Sequence, residues 1–286
     1  MNINNKITIV IVLYNSTDLI FECLKSLNKF NIIIVDNGKN SDCLNQLKQK
    51  KNIKIVSKNK NLGYGCGINF AFNFIKTDYF LILNPDVTIS ETSIEKLLNT
   101  AIKNTNCAIA APLNVPDFDS FGILPEKRGL YEKNRKKINL SNRIDNLKPE
   151  GEICVDTTKG CALLVNSKYF KEVNFFSEQY FLFWEEIDLC RKFLRKKLSI
   201  IVNPSSIAYH KQGNSSKFNI KNFFVRTFHN ELSPLYYFEI KKNSLYLYKN
   251  MLKYFFRSIS YLFIFNLKGA LKNLSKLSAN IRYILE

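Results

Sequence analysis

The sequence predicts an α/β fold in which a mainly parallel central sheet carries helices on both faces. Short apolar runs of strand length alternate with segments of helical periodicity through the first half of the chain, as expected for parallel strands joined by helices. Several of these runs end in Asn, Asp or Gly, at the strand ends where open α/β sheets form their ligand crevice. With 286 residues, the chain is long enough to bury a sizeable core.

The individual elements follow from local patterns. Apolar runs predict strands at 7–13, 31–35, 53–56 and 80–83, and each of the first three is followed by a segment of helical periodicity. After the fourth strand, Thr92 and Glu95 form a predicted capping box for a helix that buries Ile94, Leu97, Leu98 and Ala101. The later part of the chain predicts strands at 154–156, 161–165, 200–202 and 207–209, and a helix at 181–195.

Two segments depart from this alternation. Residues 113–152 lack periodicity and include a basic run at 127–137, which is typical of a functional or mobile loop. From Lys221 to Glu286, eleven Lys or Arg face three Glu and are interleaved with aromatic and apolar residues, notably at 251–267. We therefore predict an α/β domain at 1–220 and a helical, basic-aromatic extension at 221–286. This extension either contacts a membrane surface or packs on the core.

The charge balance restricts the partners of the chain. Its 42 Lys and Arg against 24 Asp and Glu give a net charge of +18, which attracts nucleic acid, anionic lipid or phosphorylated substrates. We expect no nucleic-acid partner, because no recognition module accompanies the basic residues. The seven cysteines form no CxxC pair, and the sequence has neither a secretory signal nor an apolar run of membrane-spanning length. These features predict a cytoplasmic location, including the cytoplasmic face of the inner membrane.

Four polar motifs lie where the crevice of such a sheet would collect them. Asp86 follows a strand that Pro85 ends, and a carboxylate there is either an ordinary turn residue or a ligand for Mg²⁺ or Mn²⁺. Asp36 ends the second strand, and the glycine-rich segment 61–69 enters a helix whose amino terminus favours phosphate. The fourth motif is an acidic cluster within an aromatic segment: Glu185, Glu186 and Asp188.

The glycine-rich segment also resembles a dinucleotide-binding fingerprint. Its glycines stand at 63, 65 and 67, in the spacing G-x-G-x-G, whereas the fingerprint requires G-x-G-x-x-G. The segment also follows the third predicted strand. A dehydrogenase is therefore disfavoured.

Taken together, the motifs resemble the family-2 glycosyltransferases of GT-A fold, in their rhamnosyltransferase-like branch. The resemblance covers roughly residues 6–216 and keeps the family's order. The matching segments are V-L-Y-N at 12–15, V-D-N-G at 35–38, N-L-G-Y-G-C-G-I-N at 61–69, N-P-D at 84–86, the strand at 160–165, the acidic segment at 183–191 and H-K-Q-G-N-S at 210–215.

The resemblance implies a role for individual residues. Asp86 and His210 would hold Mg²⁺ or Mn²⁺ on the donor diphosphate, and the alternative for His210 is an ordinary hydrogen-bonded core histidine. Glu186 would be the catalytic base, with Asp188 and Glu185 as the other catalytic candidates, and Trp184 would either stack on the acceptor or fill the core. The donor nucleotide sugar would be bound by Tyr14, Asn15, Asp36, Asn37, Gly38, Asn61, Gly63, Tyr64, Gly65, Asn69, Asn84 and Asp86.

The implied activity is inverting, metal-dependent transfer of a sugar. The donor would be a dTDP- or UDP-sugar, with dTDP-L-rhamnose as the best match. The acceptor would be a glycan or a polyprenyl-diphosphate-linked sugar in bacterial surface polysaccharide synthesis. The alternatives are a different donor, such as a UDP-hexose or UDP-N-acetylhexosamine, and an inactive protein that binds a sugar nucleotide. Two departures from the family pattern bear on the site: Asn84 replaces the first Asp of D-x-D, and Glu185-Glu186 replaces Glu-Asp.

Overall fold

The structure is a computed structural model that describes residues 3–15, 17–38, 41–116, 121–125, 149–211 and 219–286. The predicted loop at 113–152 lies largely outside these residues, as do Gly213 and Ser215 of the histidine motif. The chain divides into two compact units. In the described residues, the first unit comprises 3–15, 17–38, 41–116, 121–124, 149–178 and 185–211, and the second comprises Pro125, Gln179–Trp184 and 219–286.

The first unit is built on a nine-stranded sheet. Its strands are β1 (Ile7–Leu13), β2 (Asn31–Asp36), β3 (Ile53–Ser57), β4 (Tyr79–Leu83), β5 (Val87–Ile89), β6 (Cys107–Val115), β8 (Ile153–Cys154), β10 (Ala162–Asn166) and β11 (Ser199–His210). Short strands β7 (Phe121–Gly122) and β9 (Thr157–Thr158) form a separate pair. The helices are α1 (Thr17–Cys23), α2 (Ser41–Leu47), α3 (Tyr64–Phe72), α4 (Glu91–Lys103), α5 (Ser167–Glu172) and α6 (Glu185–Arg195).

The sheet has the order β3-β2-β1-β4-β10-β6-β11-β5, with β8 paired to β11. Strands β3, β2, β1 and β4 are all parallel, as the alternation of strands and helices predicts. Strand β10 runs antiparallel between β4 and β6, and β5 and β8 are antiparallel to β11. The sheet is therefore mixed, with its parallel half made by the first half of the chain.

Helices cover both faces of the sheet, because β1 sends alternate side chains to opposite sides. Ile9 and Ile11 pack in one core with Ile20 of α1 and Leu97 of α4. Val10 packs on the other face, in the core that contains Ile68 of α3 and Leu189 of α6. The predicted arrangement of helices on both faces is confirmed.

Several predicted boundaries were wrong. The helix predicted at 181–195 begins only at Glu185, because Phe183 and Trp184 have positive φ angles of 66° and 71° that a right-handed helix cannot contain. Helix α4 is capped by Ser90, whose hydroxyl accepts from the Ser93 N–H, so the predicted capping box at Thr92 and Glu95 is not formed.

Strand boundaries also differ from the predicted ones. The strands predicted at 200–202 and 207–209 are one strand, β11, with a register shift against β6 between Asn203 and Ile207. Of the strand predicted at 154–156, only Cys154 lies in a strand, β8, while 155 and 156 lie between β8 and β9, which pair with different partners.

The second unit contains three helices in its described part. They are α7 (Ile220–Tyr237), α8 (Leu245–Phe263) and α9 (Leu267–Leu285), so the predicted helical stretch at 251–267 spans the end of one helix and the start of the next. Their common core includes Leu232, Leu235, Leu247, Ala279 and Tyr283. None of the described helices is both long enough and apolar enough to cross a membrane.

Candidate active site

The carboxyl ends of the parallel strands meet at one edge of the sheet. The register pairs Leu13 with Asp36 and Asp36 with Ser57, so β1, β2 and β3 end level with one another. The end of β4 joins this edge, and the backbone N–H of Asn84 donates to the carbonyl of Cys161 at 2.9 Å. The edge thus gathers the ends of strands that are far apart in sequence, as the crevice of an α/β sheet requires.

Asp86 and His210 form the centre of the site. Strand β5 follows Asp86 directly and pairs with the end of β11, with Val87 opposite His210. His210 Nε2 lies 3.4 Å from Asp86 Oδ1, and the Asp86 carbonyl accepts from the Lys211 N–H at 2.9 Å. Asp86 is only 7% exposed. The hydrogen bond to Asp86, together with one to Cys161, raises the pKa of His210 to about 10.

This pair fits a hard divalent cation as part of its ligand set. The Asp86 carboxylate is the kind of ligand that Mg²⁺ and Mn²⁺ prefer, and His210 would join it through a neutral imidazole whose proton the cation displaces. A positive charge is favoured beside the buried Asp86 carboxylate. In the described residues, no group of three or more His, Cys, Asp or Glu could hold a metal ion. The pair would therefore hold a cation jointly with the phosphates of a substrate, which is how Mg²⁺ is usually bound.

Tyr64, at the start of α3, lies between the neighbouring motifs. Its hydroxyl is 2.8 Å from Asn84 Oδ1 and 2.7 Å from the Gly160 carbonyl oxygen. Since a hydroxyl has one proton, it donates to one of these acceptors at a time. Burial raises the pKa of Tyr64 well above its usual value, as do the nearby charges of Cys161, Glu185, Glu186 and Asp86. Tyr64 thus connects the N-P-D turn to the region of the acidic helix.

The polar residues of the glycine-rich loop are engaged within the protein. Asn37 is buried, and its Nδ2 donates to the Gly63 carbonyl at 2.7 Å. Asn61 Oδ1 accepts from the Gly63 N–H, and Gly63 has a φ of 81°, which favours glycine at the start of α3. Asn69 bonds both the N–H and the carbonyl of Phe176. These contacts give the asparagines a loop-shaping role, while ligand binding by them stays a prediction.

The other predicted donor-binding residues lie along the same edge. Asp36 Oδ1 accepts from the Gly38 N–H at 3.0 Å, which fixes the turn after β2. Tyr14 and Asn15 are exposed just after β1, and Asn15 has a positive φ of 52°. Gly65 faces Phe176 closely enough that an added Cβ would lie 3.0 Å from the Phe176 Cβ. Gly65 thus serves close packing of α3.

The three carboxylates of α6 have different surroundings. Asp188 is almost fully buried, with one oxygen 2.7 Å from Arg191 Nη2 and the other accepting from Ser177 Oγ at 2.6 Å. Glu185 is also buried, but its Oε2 has no hydrogen-bond partner. Glu186 is partly exposed and packs over Gly160, where an added Cβ would meet its Cβ at 3.2 Å.

The pKa values of the two glutamates follow from these surroundings. Burial raises the pKa of Glu185 well above its usual value, and the charge of Glu186 raises it further. Burial also raises the pKa of Glu186, opposed by hydrogen bonds from backbone N–H groups. Raised carboxyl pKa values of this kind are typical of catalytic acids and bases.

Two side chains beside the centre of the site were not predicted from the sequence. Cys161 is buried immediately before β10, and its Sγ donates to Asn114 Oδ1 at 3.2 Å. Asn114 is fully buried within β6. Asn114 could have been noticed as a polar residue inside an apolar segment of the sequence. Only the pairing of β6, β10 and β11 brings it near His210.

Trp184 belongs to the second unit. It is 7% exposed, and its ring centroid lies 5.1 Å from that of Tyr237 and 5.4 Å from that of Phe238. These contacts favour the alternative that Trp184 fills a core over stacking on an acceptor.

Comparison with known proteins identifies the family. The model of Glycosyl transferase family 2 matches residues 8–169, more than half of the chain. The chain belongs to glycosyl transferase family 2. It is 26% identical over 214 residues to the low-salt glycan biosynthesis hexosyltransferase Agl10 of Haloferax volcanii, covering 68% of this chain and 63% of that protein. It is 25% identical over 207 residues to the N-acetylglucosaminyl-diphospho-decaprenol L-rhamnosyltransferase of Mycobacterium tuberculosis, covering 63% and 66%. The chain thus spans slightly less than two thirds of the length of these two relatives.

Solved structures of other glycosyltransferases share the fold of this family 2 member. A mannosyltransferase from Pyrobaculum calidifontis, solved with GDP-Man and Mn²⁺, has a TM-score of 0.57 at 11% identity, covering 98% of this chain and 72% of that chain. GalNAc-T7, solved with UDP, GalNAc and Mn²⁺, has a TM-score of 0.54 at 13% identity, covering 71% and 42%. The predicted GT-A fold is confirmed.

Proposed function

We propose that this family 2 member is an inverting glycosyltransferase that uses a nucleoside diphosphate sugar. The observation that carries the proposal is the Asp86–His210 pair, with 3.4 Å between Oδ1 and Nε2 at the carboxyl edge of the sheet. A cation held there would stabilise the negative charge that develops on a leaving diphosphate. Family membership supports the same activity.

The residues of the chain divide the remaining work. Glu186 is the general base that takes the proton of the acceptor hydroxyl, because it is the partly exposed member of the acidic helix and has a raised pKa. Asp188 is a positioning residue, since its two oxygens are held by Arg191 and Ser177. Tyr64 holds the N-P-D turn against Gly160. Tyr14, Asp36 and Gly38 lie along the edge where the nucleotide would bind.

We infer that the donor is dTDP-L-rhamnose. The rhamnosyltransferase-like motifs support this choice, as does the similarity to the M. tuberculosis L-rhamnosyltransferase. A UDP-hexose is the second candidate, because another relative, from Bacillus spizizenii, is a poly(ribitol-phosphate) beta-glucosyltransferase that is 35% identical over 111 residues. That similarity covers 35% of this chain and 18% of the relative.

We further propose that the acceptor is a glycan on a polyprenyl diphosphate in surface polysaccharide synthesis. The M. tuberculosis relative supports this, since its name states a sugar carried on diphospho-decaprenol as the substrate. An acceptor of this kind is anchored in lipid. We therefore place the reaction in the cytoplasm, at the cytoplasmic face of the inner membrane, with an anionic membrane surface as a partner.

A donor panel tests the proposal. The purified chain is incubated with dTDP-L-rhamnose, UDP-hexoses and UDP-N-acetylhexosamines in Mg²⁺ or Mn²⁺, and release of the nucleoside diphosphate is measured. Hydrolysis of one donor that is lost in Asp86→Ala and kept in Asp78→Ala supports it. Asp78 is a matched control, because it is an exposed carboxylate beside the opposite end of β4. Binding of a donor with no turnover in any acceptor mixture would instead indicate an inactive sugar-nucleotide-binding protein.

A further inference from the structure

Helix α8 turns an apolar stripe toward solvent. With 100° of rotation per residue, eight of its nine exposed Leu, Ile, Tyr and Phe side chains fall within about 120° of arc, and the ninth, Tyr246, lies outside it. Leu247 and Tyr254, on the opposite side, are buried. The members of this stripe are Leu245, Tyr248, Leu252, Phe255, Phe256, Ile259, Leu262 and Phe263. An apolar face that points outward along a whole helix is the reverse of the pattern of a packed surface helix.

The turn between α8 and α9 extends this stripe into an apolar tip, which we define as Phe263, Ile264, Phe265 and Leu267. All four are exposed, Phe263 by 80% and Phe265 by 91%. Single exposed apolar residues are common on protein surfaces, whereas a contiguous exposed patch marks an interaction site.

The backbone of the tip adds a second, independent observation. The Phe265 N–H bonds the Leu262 carbonyl and the Asn266 N–H bonds the Tyr261 carbonyl, so the end of α8 is closed by a turn in which Phe265 has a φ of 55°. Glycine is the residue that favours this left-handed position. Phe265 is therefore unfavourable both in its backbone conformation and in its exposure, and a residue that breaks local rules in this way indicates a function.

The charged residues within α8 and the adjoining segments are basic. Residues 240–285 contain nine Lys or Arg and no Asp or Glu. Lys249, Lys253 and Arg257 are exposed and follow one another at intervals of four, so they form a row along one flank of the stripe. Apolar residues flanked by cations are the pattern of helices that lie in the interface of an anionic bilayer.

We propose that α8 and the apolar tip dock this protein on an anionic phospholipid bilayer, with Phe263 and Phe265 inserted below the headgroups. A second copy of the chain is a poorer occupant, because a two-fold interface would place the same cations against each other with no carboxylate in the segment to pair them. The inference rests on the proposed function only in that a lipid-linked acceptor gives the docking a purpose. Vesicle binding itself needs neither donor nor turnover.

The first experiment measures co-flotation of the full chain with two kinds of vesicle, phosphatidylcholine alone and phosphatidylcholine with phosphatidylglycerol. We expect binding to the anionic vesicles alone. Each cation near an anionic leaflet contributes about fivefold in affinity, so changing Lys249, Lys253 and Arg257 together to Gln should weaken binding roughly 100-fold. The matched control changes three exposed lysines of the first unit to Gln and should bind as the wild type: Lys48, Lys50 and Lys51. The proposal would be overturned if the wild type floated equally with neutral vesicles, or if the triple variant bound anionic vesicles as well as the wild type.

The second experiment uses Phe265→Gly, for which a structural role and a membrane role predict opposite results. Glycine relieves the left-handed backbone, so the melting temperature should rise. Loss of the inserted ring should weaken vesicle binding by about tenfold or more. A variant that melts higher and binds anionic vesicles as well as the wild type would overturn the proposal. So would a wild-type dimer in solution that Phe265→Gly disperses, with vesicle binding unchanged.

A third measurement reports insertion directly. Phe265→Trp should show a blue-shifted emission and quenching by brominated lipid in anionic vesicles, while Ile123→Trp, at a position that is 82% exposed in the first unit, should show neither. If the emission of Phe265→Trp does not shift in anionic vesicles, insertion of the tip is refuted. Donor hydrolysis is measured on the same samples. Loss of vesicle binding with intact hydrolysis refutes only the docking, and absent hydrolysis with intact vesicle binding refutes only the proposed function.

Discussion

Replacing Glu186 by Gln should remove proton transfer from the site without changing the structure of the site. The amide has nearly the shape of the carboxylate but cannot take a proton. General-base catalysis contributes about 10² to 10⁴ in rate, or roughly 3 to 5 kcal/mol of transition-state stabilisation. We therefore expect turnover to fall by two to four orders of magnitude while donor affinity stays unchanged. The melting temperature should not fall, because burial disfavours the charge that the substitution removes.

The matched variant is Asp188→Asn, in the same helix. Both Asp188 oxygens are engaged, by Arg191 Nη2 at 2.7 Å and by Ser177 Oγ at 2.6 Å. Breaking a buried ion pair of this kind costs about 3 kcal/mol, which corresponds to a fall of roughly 6 to 12 °C in melting temperature. Glu186→Gln should thus lose activity without losing stability, and Asp188→Asn should lose stability.

The assay combines single-turnover transfer, donor binding by calorimetry, and thermal melting of each variant. The pH profile gives a further readout. Because the pKa of Glu186 is raised, wild-type turnover should increase as the pH rises through that value, and Glu186→Gln should lack this limb. If Glu186→Gln turns over almost normally while Asp188→Asn is inactive at an unchanged melting temperature, the two roles are reversed and the assignment of the base is refuted.

Three further outcomes are expected. Asp86→Ala should abolish activity and weaken donor binding, and His210→Ala should do so less severely; full activity in EDTA would contradict a cation on the diphosphate. Asn69→Ala should lower the free energy of unfolding by about 2 kcal/mol, because the N–H and carbonyl of Phe176 lose their partners; unchanged denaturant unfolding with lost donor binding would instead support direct donor contact. Glu185→Gln should raise the melting temperature at neutral pH. The folded-state pKa of Glu185 lies above the unfolded value, so wild-type stability falls as the pH rises from the unfolded pKa toward the folded one, and the variant should lose this slope; an unchanged slope would contradict the raised pKa.

The sequence by itself determined the parallel half of the sheet. Strand β1 begins at Ile7 and ends at Leu13, as predicted, because a strand buried on both faces is nearly continuous in apolar residues, and Thr8 is the one polar residue in it. Helix starts were harder to predict. Ser90 and Thr92 are both good caps, and the choice between them depends on where β5 ends, which is a tertiary feature.

The polar motifs were also visible in the sequence, since each follows a strand or enters a helix. Their contacts were not. Asn69 bonds Phe176, which is 107 residues further along the chain. Cys161 donates to Asn114, 47 residues before it, across the β6–β10 boundary. Such contacts depend on strand order and register, which local periodicity does not encode.

The same distinction applies to the carboxylates and the extension. Their identities and spacing are properties of the sequence, and so are the cations of the last helices. Only the tertiary structure decided that Asp188 is buried and accepts from Ser177 while Glu186 is partly exposed, and that the apolar stripe of α8 faces solvent. A side chain's charge and hydrophobicity are local, but its burial, and therefore its pKa and its availability to a partner, depends on which distant segments pack around it.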